Sequence, residues 1–134
     1  MSQEVTDWGV TIAALLHFVQ LPSMNAIRRS YAASELSALS PFARAVLLLF
    51  STGIIACVTG LGVILLYNHG LVLCTAVGRS LCAFLGVFWT LRGLAQSLLL
   101  SSIWPLHLNW LHRFLSLFYP FLGALYLWLS WVAA

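Results

Sequence analysis

The residues able to do chemistry are few, and they stand in apolar surroundings. His17 and Gln20 interrupt one apolar run, and Arg79, Arg92 and Gln96 interrupt another. His107, His112 and Arg113 gather before a third, and His69 stands alone in a short polar turn. A b-type haem in a membrane needs two imidazoles at similar depth on different helices. His17 with His112 or His107 is the pair that meets this requirement. A chlorophyll-type pigment needs one axial histidine, which His17 supplies by itself. Trp89, Arg92 and Gln96 lie on one helical stripe, in steps of three and four residues. Their donors suit a quinone carbonyl or an acidic cofactor group. His17, Arg92, Gln96, His107 and His112 are therefore the candidate cofactor-binding residues, for haem b, a chlorophyll-type pigment or a quinone. The plainer alternative is that His17 bonds Gln20 or a backbone group, and that His107 and His112 are interfacial.

Arg79 and Arg92 are thirteen residues apart, roughly 20 Å along a helix, and project from nearly opposite faces. Each either snorkels to its own headgroup layer or meets an anion, because a buried unpaired guanidinium is costly. The spans contain no Asp or Glu to serve as that anion. A lipid phosphate, a cofactor carboxylate or propionate, a quinone carbonyl, a backbone carbonyl or another subunit remains. Arg79, Arg92, Trp104, Phe118 and Tyr126 are accordingly the candidate contacts for lipid or a protein partner.

The same lack of carboxylates speaks against catalysis. Proton-coupled antiport through four short helices needs an intramembrane carboxylate. Small multidrug transporters carry one in their first helix, where this chain has His17 and Gln20. Four-helix membrane glutathione transferases have a similar size, but their arginine-rich loop signature is absent here. No Gly-x-Ser-x-Gly, His-Glu-x-x-His or P-loop occurs. Four histidines without an acidic partner do not make a metal site. Cys57, Cys74 and Cys82 form no CxxC and read as small buried residues. The expected protein is not an enzyme.

The elements that position these residues follow from composition. Of 134 residues, 62% are apolar and 7% charged, against roughly 25% charged in soluble domains. So little charge does not keep a soluble surface apart. The chain belongs in a bilayer, as an all-α integral membrane protein. The six arginines make no basic run, so nucleic acid is not a partner. The acidic start, with Glu4 and Asp7, is unlike a signal peptide.

A span needs roughly 20 apolar residues. One domain, 1–134, with four transmembrane helices at about 8–25, 45–67, 72–100 and 112–133 satisfies this, in two antiparallel hairpins. Pro22 favours a stop or kink in the first. Ser40-Pro41 reads as an N-cap and first helical position. Tyr67-Asn68-His69-Gly70 reads as a turn with positive φ, and Trp104-Pro105 ends the third helix. Pro120 kinks the fourth. The loop 26–44 carries Arg28, Arg29 and Arg44, and part of it, 32–39, has the pattern of a short interfacial helix. The positive-inside rule then puts both termini outside. The default location is a bacterial inner membrane.

Small residues at three- and four-residue spacing on helices 2 and 3 predict that these two pack together. The large residues of helix 4 predict a lipid-facing or partner-facing wall. The function expected is a small non-catalytic accessory subunit, packing against larger membrane subunits of a respiratory, photosynthetic or other oxidoreductase assembly, with bound lipids. An electron-transfer or quinone-handling anchor is the first alternative. A homo-oligomeric transporter or lipid-handling protein is the second.

Overall fold

The structure is a computed structural model. It describes residues 3–34, 39–68, 70, 74–101 and 109–132. Four long helices dominate these residues: α1 (Gln3–Ser34), α2 (Pro41–Tyr67), α3 (Ala76–Leu98) and α4 (Asn109–Val132). Three of them, α2, α3 and α4, are long and apolar enough to cross a membrane.

Helix ends follow local chemistry. The Ser40 hydroxyl accepts from the Ala43 N–H at 3.2 Å, with Pro41 in the first turn. The Thr75 hydroxyl likewise accepts from the Gly78 N–H at 3.0 Å and starts α3. Such caps satisfy backbone donors that have no partner within the helix. At the end of α2, the Asn68 N–H returns to the Ile64 carbonyl with φ −122°. The turn needs no positive φ at Asn68 or Gly70, contrary to expectation.

Other boundaries also differ. α1 continues through Pro22 to Ser34, taking in 26–34, which reads as loop from its arginines. Proline removes one N–H and clashes one turn back, but it does not end the helix here. α2 and α4 begin earlier than expected, at Pro41 and Asn109, and α3 spans 76–98 in place of 72–100. Trp104-Pro105 and residues 35–38 of the suggested interfacial helix lie outside the described residues.

The packing departs further from expectation. α3 packs on α4, α1 on α2 and α1 on α4, whereas α2 and α3 share no comparable interface. The small residues of α3 meet large residues of α4. A Cβ at Gly86 would lie 2.6 Å from the Leu127 side chain, and one at Gly93 would lie 2.5 Å from the Pro120 ring. Gly123 of α4 returns the relation: a Cβ added there would run into the Thr90 side chain and lie 2.8 Å from the Thr90 nitrogen. Gly62 of α2 fits Phe18 of α1 in the same way. Gly86, Gly93 and Gly62 each admit a large neighbour, while Gly123 lies against Thr90 and the Gly86 backbone.

One face of the predicted outer wall is consequently the core, while Phe121 and Leu127 stay exposed. Leu111, Leu115, Phe118, Leu122, Tyr126 and Leu129 fall at three- and four-residue steps on α4, and all are buried. Val10, Ala13, Ala14, His17 and Gln20 make the facing stripe on α1, each with no exposed surface. α2 buries little beyond Val58, Gly62 and Leu65. Cys82 is buried, but Cys57 and Cys74 are exposed, against the expectation that all three are inside.

Candidate functional site

Polar side chains on three helices meet inside the bundle. α1 brings His17 and Gln20 to its inner face because they continue the stripe begun by Val10 and Ala13. His17 Nε2 lies 2.6 Å from the Tyr126 hydroxyl of α4, and the Gln20 amide nitrogen donates to His17 Nδ1 over a longer 3.4 Å. In that arrangement the His17 Nε2–H donates to Tyr126. Gln20 Oε1 is buried with no partner among the described residues.

A second polar group lies on α3 and α4. Arg92 donates through Nη1 to Gln96 Oε1 at 3.1 Å, and the Gln96 amide nitrogen donates to His112 Nδ1 at 3.0 Å. The order of donors is forced. Guanidinium only donates, so the Gln96 oxygen must face Arg92 and its NH2 must face His112. His112 then carries its ring proton on Nε2. Gln96 is wholly buried and acts as the coupling between the two.

Aromatic rings join the two groups. The His17 ring lies 5.6 Å from Trp89, and Trp89 stacks on Tyr119 at 5.4 Å and 12°. The Arg92 guanidinium sits 5.0 Å from the Tyr119 ring centre. A cation over a ring face contributes about 0.5–2 kcal/mol, more when water is excluded. The buried Trp89 indole N–H has no acceptor among the described residues.

Of the residues singled out by sequence, His17, Arg92, Gln96 and His112 therefore come together in one continuous array. His107 and Trp104 lie outside the described residues. Arg79 is half-buried near the start of α3, away from this array along the helix. Phe118 and Tyr126 are core residues with 7% and 0% exposure, not the lipid or partner contacts expected of them. Tyr119 is a member that sequence reasoning missed, and Tyr126 is one that it assigned to the outside. Their signal was register: both continue the buried stripe of α4, whose interior face its large residues concealed.

The array constrains the cofactor expectations. Both His17 nitrogens have side-chain neighbours, so iron or magnesium ligation would require His17 to give up Tyr126 or Gln20. His17 and His112 face different partners instead of a shared centre. Beside the array, α2 and α3 stand apart across an open cleft of about 920 Å³. Leu47 to Leu61 of α2 and Phe84 to Arg92 of α3 form its sides, with Met24 and Tyr119 contributing from α1 and α4. Comparison of the chain with known protein families, characterised proteins and solved structures returns no match.

Proposed function

We propose that this is a multi-pass membrane protein that works as a small non-catalytic accessory subunit, offering α2 to a larger integral-membrane partner. The observation that carries the reading is the position of α2. It is the most apolar of the helices long enough to span and the least buried. Leu49 is 74% exposed and Phe50 66%. The open cleft leaves its α3 side uncovered as well. Where a polar array is built, its side chains bond one another inside the bundle, and no nucleophile with an activating base stands among them.

α1 completes a four-span bundle in this reading. It is less apolar because His17 and Gln20 face inward, where His17 meets Tyr126 and the Gln20 amide nitrogen. Only six residues separate Ser34 from Pro41, a link of at most roughly 25 Å. With Gly62 against Phe18, that short link requires α2 to run opposite to α1. Arg28, Arg29, Arg44, Arg92 and Arg113 then fall toward one end, and Glu4, Asp7 and Arg79 toward the other, a bias of five arginines to one. By the positive-inside rule both termini are outside, in a bacterial inner membrane. Exposed aromatics suit that frame: Trp8, Tyr67 and Trp131 mark one interface and Trp110 the other.

The test is extraction of the tagged full chain from its native membrane in mild detergent, followed by sizing and identification of bound proteins. The expected result is stoichiometric association with one larger membrane protein. Elution of the chain alone, or as a small homo-oligomer, overturns the reading.

A further inference from the structure

We propose that the cleft between α2 and α3 binds an anionic phospholipid, its phosphate held by Arg92 and its acyl chains lying between the two helices. The inference rests on the chain being in a membrane, and Leu49 and Phe50 of α2 line this cleft too.

The cleft has the polarity of such a lipid. Its charged lining group is Arg92; the rest is almost wholly aliphatic and aromatic, and the Ser51 hydroxyl in the lining already donates to the Leu48 carbonyl at 2.9 Å. Arg92 lies six residues before Leu98, about 9 Å from the end of α3. A guanidinium at that depth reaches the headgroup layer by extending along its helix. From Arg92 the apolar lining continues back to Phe84, about 12 Å along α3. One end of the cleft thus carries the charge, and the length behind it suits hydrocarbon.

Arg92 also has capacity for an anion. A guanidinium offers five N–H donors. One is spent on Gln96, while Tyr119 takes a face of the cation. The carboxylates among the described residues are Glu4 and Asp7, at the beginning of α1. Met24 of α1 shares the cleft with Arg92, and Asp7 is about 25 Å from Met24 along that helix. Trp89, which also lines the cleft, has an indole N–H without an acceptor among the described residues.

The shape of the lining suits a lipid. The α2 side, Leu47 to Leu61, is about 21 Å long and almost wholly apolar, with the single charge of Arg92 on the facing helix.

Two glycines make the test clean. Gly53 lines the cleft and Gly60 does not, and a Cβ at either meets nothing within 4 Å. The full chain, purified in neutral detergent and stripped of lipid, would be titrated with dioleoyl phosphatidylglycerol or dioleoyl phosphatidylcholine and read by native mass spectrometry. The wild type is expected to hold one phosphatidylglycerol about tenfold more tightly than phosphatidylcholine, a difference of about 1.4 kcal/mol. Arg92→Gln should erase that preference, and Arg92→Lys should keep part of it. Gly53→Phe should weaken both lipids about tenfold, a loss of the same size, and Gly60→Phe should weaken neither. Equal affinity of the wild type for both lipids overturns the proposal. So does unchanged binding in Gly53→Phe, or a quinone or free fatty acid retained in place of phospholipid.

Discussion

α2 and α4 are both apolar enough to span a membrane, yet they occupy opposite places. α2 is the more apolar and is the least buried, while α4 is less apolar and forms the centre, touching both α1 and α3. The reversal has a physical cause. Lipid tails are as apolar as leucine, so hydropathy gives a helix no reason to turn inward. Inward position comes from shape and from polar groups that need partners. α4 has both: Gly123 admits Thr90, and Tyr126 and His112 meet His17 and Gln96. α2 has one such fit, Gly62 against Phe18, and its hydroxyls at Ser51 and Thr59 return to its own backbone.

The largest expected effect tests that contrast directly. Gly123→Leu drives a side chain into the Thr90 backbone and the Gly86 carbonyl. It should destabilise the bundle by about 3 kcal/mol or prevent folding. Gly60→Leu on α2, where nothing lies within 4 Å, should stay within about 0.5 kcal/mol of wild type. Unfolding in mixed micelles followed by tryptophan fluorescence reads both. Equal losses would erase the distinction between the two helices.

Tyr126→Phe comes next. It removes the 2.6 Å partner of His17 and should cost about 1–2 kcal/mol, since one buried polar group is left unmatched. A double-mutant cycle with His17→Ala should show coupling of about 1 kcal/mol. Additive losses would mean that the contact contributes nothing. Gln96→Leu separates Arg92 from His112 and should cost about 1 kcal/mol, read by the same unfolding assay. The smallest effect belongs to Leu49→Ala on the exposed face of α2, under about 0.5 kcal/mol in detergent.

Much of the molecule is legible in its sequence, and the limits have a pattern. The Ser40-Pro41 start of α2 was readable because a hydroxyl cap and a fixed φ act within one turn. His17, Gln20 and Gln96 stood out because polar groups in a span need an interior partner. The Trp89–Arg92–Gln96 stripe was readable from spacing, and Arg92 does bond Gln96. Helix pairing was not readable in that way. Gly86 and Gly93 signalled close approach without saying to what, and their actual neighbours, Leu127 and Pro120, are large. Tyr126 read as a lipid or partner contact, whereas its register with Leu122 and Leu129 places it inside. Arg28 and Arg29 suggested a loop, whereas α1 carries them in its last turns.

The central claim is that α2 is the face this protein offers to a larger membrane partner. The most direct measurement places a photo-crosslinking residue at Leu49 of α2 or at Leu117 of α4 in native membranes. These positions are equally open, at 74% and 76% exposure, so accessibility does not bias the outcome. The account predicts one protein adduct of defined mass from Leu49, and lipid adducts alone from Leu117. Lipid adducts alone from both positions, or the same protein from both, would contradict it.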